Sequence, residues 1–421
     1  MDAIRLNAFD AEAIIIVLAA VFGYLNHRFV RLPHTVGLAI MGALASALVV
    51  GIDAALPQSD LAGHLQGFLA QVDFQNTLMQ GMLSFLLFAG ALHVDWEQVR
   101  LGRWPIGVLS SAGVLASALI VAEGLKLIAP LAGLDPPFIW CLVFGALISP
   151  TDPVAVLSVM RRANVPPRLQ ATVGAESLFN DGIGVVVFTI VMAAATGGVH
   201  VGLGEAARMF LVEALGGAAL GGVIGWVAYR AIRSIDEYNV EILISLAVVM
   251  GGYVIARPLG VSGPVAMAVA GLVIGNHAAN AMSETTRDHL IKFWSVLDDI
   301  LNSVLFLLIG LEGVALVGDA RVVGAALLAI PLVLMARAVS VGIPLTLWRR
   351  QLPYGMSFPV LTWGGLRGGI SVALALSLPA HPMKSLILAS TYAVVMFSVI
   401  VQGSTVGRLV KRLGPAPEAV K

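Results

Sequence analysis

The sequence predicts an all-α polytopic membrane protein with about 13 transmembrane helices, on the basis of its composition and its repeated long apolar segments. Of the 421 residues, 58% are hydrophobic and 12% are charged, whereas soluble domains carry about 25% charged residues. A single soluble core cannot bury that much apolar surface. The chain has 25 basic and 25 acidic residues, so it offers no basic surface and a nucleic-acid partner is not expected.

Thirteen segments are long and apolar enough to cross a bilayer, which takes roughly 20 residues in a helix. The connections between them are too short to hold a soluble domain. Membrane lipid is therefore the expected surrounding of most of the chain. The predicted segments are 12–29, 34–52, 76–94, 104–130, 138–160, 169–197, 206–230, 238–257, 261–279, 296–317, 321–348, 356–379 and 384–407.

The charges between the segments predict the orientation of the chain. Alternate connections, such as those with Arg28, Arg100 and Arg349, hold 17 cations, and the opposite set with the N-terminus holds five. Because basic residues concentrate in cytoplasmic loops, the N-terminus is expected outside and the C-terminus in the cytoplasm. This orientation requires an odd number of spans, which thirteen satisfies. The predicted location is the cell (inner) membrane.

Two further patterns concern packing. Residues 280–295 mix apolar side chains such as Trp294 with charges, which favours a short helix on the cytoplasmic membrane surface; a solvated loop is the alternative. Gly217, Gly221 and Gly225 lie four residues apart in the seventh segment. This spacing lets two helix backbones approach closely.

Five ionisable residues lie well inside predicted spans, where each costs roughly 2.5–3.5 kcal/mol on insertion scales. A cost of this size requires that the five side chains be paired, hydrated or functional. Structural ion pairing is the alternative to function for some of them. The five residues are Asp152, Glu176, Asp181, Arg337 and Arg367.

Asp152 lies between two prolines, Pro150 and Pro153, in the fifth segment. Each proline lacks an N–H and clashes with the preceding turn, so the helix should break at mid-membrane. Irregular backbone at this depth is tolerated only where it lines a cavity or is buried in protein. Broken helices near the midplane are where secondary transporters bind ions.

The sixth segment carries a polar stretch from Glu176 to Asp181. Ser177 and Asp181 are four residues apart and share one helical face, and Glu176 and Asn180 share the adjoining face. Hydroxyl and carboxylate oxygens suit a hard cation. A turn at Asn180-Asp181-Gly182 is the alternative, although the following apolar run from Ile183 disfavours it.

A second weak point lies in the twelfth segment, at 363–369, where four glycines surround Arg367. Each glycine weakens a helix by roughly 1 kcal/mol relative to alanine. Arg337 lies in an otherwise apolar eleventh segment and needs a carboxylate partner. Glu176 is the best unassigned candidate.

Taken together, these motifs resemble the NhaP/NHE-type sodium/proton antiporters of the monovalent cation:proton antiporter-1 family. The matching pieces occur in the order and spacing of that family and extend over nearly the whole chain. They are Thr151-Asp152-Pro153, Glu176-Ser177 to Asn180-Asp181, Arg337, and Gly364-Gly365-Leu366-Arg367-Gly368.

The resemblance implies a fold of two inverted repeats, in which the broken fifth and twelfth helices cross near the midplane (an NhaA/NhaP-like fold). Residues 1–407 would form the membrane domain, and 408–421 a short cytoplasmic tail. The core bundle would comprise about 104–197 and 321–407. The dimerisation scaffold would comprise about 12–94 and 206–317. A homodimer is expected.

The resemblance also implies roles for single residues. Asp181 would carry the cation and the proton in turn, and Thr151, Asp152 and Ser177 would complete the Na⁺ ligands. Asn180 would belong to the ion-binding group. Glu176 and Arg337 would form a structural ion pair, and Arg367 would balance charge at the crossing.

One residue departs from the family pattern. Many prokaryotic relatives carry an acidic residue in the third span, and Ala89 occupies that place here. One possible cation ligand is therefore missing.

The resulting hypothesis is a secondary transporter that exchanges Na⁺ (or Li⁺) for H⁺ by alternating access, one for one, with no cofactor and no enzymatic activity. A K⁺(Na⁺)/H⁺ antiporter of different selectivity and a cation channel are the alternatives. An intramembrane aspartyl protease using Asp152 and Asp181 is disfavoured, because the Gly-x-Gly-Asp pattern of that chemistry is missing.

Overall fold

The computed structural model describes an almost entirely helical chain, so the all-α membrane fold is confirmed. It describes residues 8–56, 63, 65, 67, 82–153, 156–157, 159–160, 165–197, 202–278, 282–311, 320–348 and 354–413. Within these residues, nine helices are long and apolar enough to cross a membrane, and three shorter helices are also apolar. An interrupted helix over 354–376 accounts for the remaining predicted span.

The first half of the chain, up to Thr196, contains eight α-helices. The helices α1 and α6 continue into a π-helix over Asn26–Val30 and a 3₁₀-helix over Ala129–Ala132, respectively. The eight are α1 (Ala8–Leu25), α2 (His34–Ala55), α3 (Leu83–Leu92), α4 (Trp96–Leu101), α5 (Arg103–Ser110), α6 (Ala112–Ile128), α7 (Phe138–Ile148) and α8 (Pro167–Thr196).

The second half contains nine described α-helices. Two of them, α11 and α16, continue into π-helices over Ile274–Ala278 and Ser398–Gln402. The nine are α9 (Leu203–Ile232), α10 (Tyr238–Ala256), α11 (Gly263–Val273), α12 (Glu284–Leu311), α13 (Ala320–Leu347), α14 (Tyr354–Trp363), α15 (Gly369–Leu376), α16 (Lys384–Phe397) and α17 (Gly403–Leu413).

The helices pack in two groups. In one group, α6 lies against α7 and α13, α7 lies against α8, and α13 lies against α16. In the other group, α2 lies against α12, and α11 lies against α3, α9 and α10. The helices α8 and α12 touch both groups, since α8 contacts α11 and α12 contacts α15. The helix α8, which carries the polar stretch of the sixth segment, and the helix α12 therefore lie between the two groups.

Two predicted boundaries change in the structure. The separate surface helix within 280–295 is wrong, because α12 runs unbroken from Glu284 to Leu311 and buries Leu290 and Trp294. No proline or glycine lies between Glu284 and Ile309 to stop it. At the other end, α17 extends to Leu413, and residues 414–421 lie outside the described residues. The first six residues of the predicted third span, 76–81, also lie outside them.

The three glycines of α9 face α11 closely. A Cβ atom added at Gly217, Gly221 or Gly225 would lie 2.6 Å from the Ser262 carbonyl oxygen, 2.1 Å from the Ala266 carbonyl oxygen and 3.1 Å from the Ala270 Cα, respectively. These glycines therefore let the two backbones touch, as small residues do between membrane helices.

We expect Gly221→Ala to lower the melting temperature of the detergent-solubilised protein, because the new methyl group forces α9 away from α11 and overpacking costs about 1–3 kcal/mol. Gly222→Ala is the matched control, since nothing lies within 4 Å of a Cβ at that position. Alanine there should keep or slightly raise the melting temperature. Equal melting temperatures for the two variants would contradict this close packing.

Candidate functional site

The site is built where two interrupted helices meet. The helix α7 ends at Ile148 and helical backbone resumes by residue 156, while α14 ends at Trp363 and α15 begins at Gly369. The two extended breaks lie side by side in antiparallel orientation, and the Asp152 N–H donates to the Leu366 carbonyl at 2.8 Å. The breaks predicted from Pro150 and Pro153 and from the glycines thus face each other.

A glycine is required at this crossing. A Cβ atom at position 368 would lie 2.6 Å from Oδ2 of Asp152. Glycine at this position therefore lets the second break approach the carboxyl group of the first.

Side chains of the polar stretch on α8 form hydrogen bonds with Thr151 in the first break. The helix continues without a turn through Asn180-Asp181-Gly182. The Asn180 Oδ1 accepts from the Thr151 N–H at 3.2 Å, and its Nδ2 donates to Thr151 Oγ1 at 2.7 Å and to Glu176 Oε1 at 2.9 Å. Ser177 Oγ donates to the Thr151 carbonyl. The backbone that the break exposes is therefore bonded by side chains one turn apart on α8.

Glu176 and Arg337 lie together in the interior. The Arg337 Nη1 and Nη2 donate to the two Glu176 carboxylate oxygens at 2.8 and 3.1 Å, and its Nε donates to the Leu361 carbonyl at 3.1 Å. Both side chains are almost fully buried. This bidentate arrangement is the strong form of an arginine–carboxylate contact, and it ties α8 to α13 and to α14.

Arg367 lies at the end of α7, where it bonds backbone carbonyls. Its Nη1 donates to the carbonyls of Ser149 and Pro150, the latter at 2.9 Å. Carbonyls at the C-terminus of a helix lack an intrahelical donor and carry partial negative charge. The buried guanidinium thus satisfies the acceptors that the break leaves open.

A cavity of about 480 Å³ opens beside the crossing. Among the predicted site residues, Thr151, Asp152, Ser177 and Asp181 line it. The set of lining residues described for the cavity includes four aspartates, and its one basic side chain is His93. The four are Asp95, Asp152, Asp181 and Asp298.

The other predicted residues lie behind this lining. Asn180, Glu176, Arg337 and Arg367 do not line the cavity, and each is hydrogen-bonded to other groups of the protein. Asn180 is fully buried. Its geometry is that of a residue which positions Thr151, whereas Asp181 keeps 8% of its surface exposed toward the cavity.

Asp298 and Asn302 on α12 are among the lining residues of the cavity that sequence reasoning missed. The available signal was their spacing with Ser295 and Leu305, which puts four residues on one helical face. The predicted span began at residue 296, which placed Asp298 at its edge. An acidic residue is common at the edge of a span and therefore gives no signal of function. Ala89 does not line the cavity; it is buried in an apolar cluster with Trp294, and its neighbour Gly90 faces the cavity instead.

The profile described as sodium/hydrogen exchanger, transmembrane, matches residues 16–412. This match includes both breaks, the polar stretch of α8 and both buried arginines. The chain belongs to the sodium/hydrogen exchanger family.

Relatives of known name agree with this assignment. The chain is 44% identical over 411 residues to the Na(+)/H(+) antiporter NhaP of Pseudomonas aeruginosa, covering 96% of each chain. It is 34% identical over 398 residues to the Na(+)/H(+) antiporter NhaH of Halobacillus aidingensis, covering 92% of this chain and 94% of the relative. The sodium proton antiporter MjNhaP1 of Methanocaldococcus jannaschii, solved at pH 8, has the same fold: the TM-score is 0.77 at 19% identity, covering 96% of this chain and 98% of the other.

In this exchanger-family chain, we expect Glu176→Gln to lower the melting temperature strongly, because it leaves the Arg337 guanidinium buried without an anion. Breaking a buried pair in this way costs about 3–5 kcal/mol. The double variant Glu176→Gln/Arg337→Met should lose less than the sum of the two single variants, as measured by thermal unfolding in detergent.

The matched control is Asp288→Asn, which breaks the exposed Asp288–Lys292 pair on α12. Exposed pairs contribute about 0–1 kcal/mol, so this variant should melt close to the wild type. Additive losses in the double variant, or a wild-type melting temperature for Glu176→Gln, would show that the buried pair does not support the fold.

Proposed function

We propose that this chain exchanges Na⁺ (or Li⁺) for H⁺ across the cell membrane, one for one, by alternating access. The observation that carries the proposal is the pair of aspartates, Asp152 and Asp181, which line one acidic cavity where two broken helices cross among membrane-spanning helices. Membership of the sodium/hydrogen exchanger family and the names of the relatives support the choice of ions.

Competition for Asp181 is the proposed coupling step. A carboxylate removed from water is costly unless its charge is neutralised, and either a proton or a bound cation can do this, but not both together. We propose that the site switches from one side of the membrane to the other only when Asp181 is neutralised. Each switch then carries a cation in one direction or a proton in the other.

Oxygen atoms around the crossing supply the proposed cation ligands. The carboxylates of Asp152 and Asp181 line the cavity together with Ser177 and Thr151. Ser177 donates its hydroxyl proton to the Thr151 carbonyl and Thr151 accepts a proton from Asn180, which leaves lone pairs on both hydroxyl oxygens for a cation. Small hard cations prefer such oxygen ligands.

The remaining charges are proposed to stay fixed during the cycle. Glu176 is neutralised by Arg337, and Arg367 stays bonded to the end of α7. Asn180 holds no charge. Asp181 then carries the one charge that is neutralised alternately, which supports electroneutral exchange.

The two packing groups support a division into a moving core, about 104–197 and 321–407, and a scaffold, about 12–94 and 206–317. Exposed apolar side chains on α9 and α10, such as Leu215, Trp226 and Val254, support contact with lipid and with a second copy in a homodimer. The distribution of basic residues supports an external N-terminus and a cytoplasmic C-terminus.

We expect proteoliposomes containing the protein to lose a preformed pH gradient when Na⁺ or Li⁺ is added, and Asp181→Asn to abolish this response. The amide cannot take up and release a proton, so coupling fails even if a cation still enters. The measurement is proton flux with Na⁺, Li⁺ and K⁺ in separate experiments, and the order of the ions gives the selectivity.

The control is Asp299→Asn, because Asp299 is an exposed carboxylate on α12 that does not line the cavity. This variant should exchange like the wild type. Collapse of the pH gradient with K⁺ but not with Na⁺ or Li⁺ would show that K⁺, rather than Na⁺, is the transported cation. Cation flux far above carrier rates without proton counterflow would overturn exchange in favour of a channel.

A further inference from the structure

The helix α12 presents a polar face to the acidic cavity. Ser295, Asp298, Asn302 and Leu305 all line it. They are spaced by three, four and three residues, which places them on one side of a helix. The neighbouring Asp299 falls off this face and is exposed.

Asp298 lies between the crossing and the opening of the cavity. Leu305 packs against Gly369, where a Cβ atom would collide with its Cδ2 atom, so Leu305 marks the level of the second break. Asp298 is seven residues earlier on α12, a distance of about 10 Å along the axis at 1.5 Å per residue. Ser295 is one turn further in the same direction, and two other lining residues, His93 and Asp95, are exposed, which points to an opening of the cavity beside them.

Among the described residues, Asp298 has no fixed cationic partner. Asn302, one turn later, makes a side-chain hydrogen bond with the Asp298 carboxyl group, and the charged groups that act on it electrostatically are the carboxylates of Asp152 and Asp299. Within the described part of the chain, no lysine or arginine forms a salt bridge with Asp298. The Asp298 carboxyl group therefore lines the cavity without a fixed cationic partner among these residues, and a cation that enters the cavity can approach it.

We propose that Asp298, oriented by Asn302, is a second cation-attracting carboxylate on the path from the cavity opening to Asp181. It gives an arriving cation a partly desolvated oxygen site before the ion reaches the ligands at the crossing. The proposal rests on the proposed exchange of cations for protons.

The physical effect of such a site is on capture rather than on the exchange step. A negative charge in a cavity with apolar walls concentrates cations near the binding site. Removing a charge that acts equally before and during transport raises the half-saturating substrate concentration and leaves the maximal rate unchanged. A purely structural role would instead lower the maximal rate or the amount of folded protein.

The test is the Na⁺ dependence of proton flux in proteoliposomes for four proteins: wild type, Asp298→Asn, Asp298→Glu and Asp299→Asn. We expect Asp298→Asn to raise the half-saturating Na⁺ concentration about threefold or more with a maximal rate within about twofold of wild type. Asp298→Glu keeps the charge and should restore the wild-type value. Asp299→Asn, one residue away on the exposed side of α12, should shift it much less than Asp298→Asn.

Asn302→Ala is the second variant, which should shift the half-saturating concentration in the same direction by a smaller factor, since it frees Asp298 without removing its charge. An unchanged value in Asp298→Asn, or an equal shift in Asp299→Asn, would overturn the proposal while exchange by the wild type stands. Absence of cation-driven flux in the wild type would instead overturn the exchange function, and the role of Asp298 with it.

Discussion

Two interrupted helices can cross inside a membrane only if the backbone groups exposed by their breaks are bonded within the protein, because hydrocarbon offers no replacement for water. The bond between the Asp152 N–H and the Leu366 carbonyl joins the breaks directly. Asn180 and Ser177 bond the exposed groups of Thr151, and Arg367 bonds the carbonyls at the end of α7. The rest of the site depends on this satisfaction of the crossing.

The same constraint divides the buried charges into two kinds. Glu176, Arg337 and Arg367 are held by several bonds each and face away from the cavity. Asp152 and Asp181 line the cavity. Fixed charges keep the broken backbone in place, and the carboxylates that line the cavity are the ones proposed to bind the ions. Asn180 is the link, since one amide contacts both Thr151 and Glu176.

Much of this arrangement follows from local sequence rules. Pro150 and Pro153 cannot continue a helix, four glycines weaken the twelfth span, and the four-residue spacing of Ser177 and Asp181 puts both on the cavity side. Each of these signals acts within a few residues, so the sequence alone contains it.

The parts that sequence reasoning missed depend on contacts between distant segments. Asp298 lies near the predicted start of a span. Only the packing of α12 against α15 and α3 turns the helix face that carries Asp298 toward the cavity. Arg367 was expected to balance charge at the crossing, but its hydrogen-bond partners, carbonyls 217 and 218 residues away, could not be identified from the sequence. The predicted surface helix merged into α12 because nothing in 284–309 interrupts the helical hydrogen bonds. Charge counting and periodicity do not contain this information.

Shared use of Asp181 by proton and cation is the central claim, and calorimetry of Na⁺ binding tests it most directly. Binding to the detergent-solubilised protein is measured in two buffers of different ionisation enthalpy, for wild type and Asp181→Asn. Competition for one carboxylate predicts that about one proton is released for each Na⁺ bound when Asp181 is protonated beforehand, and that the variant releases none. Binding of Na⁺ to the wild type without proton release across the pH range of binding would contradict the account.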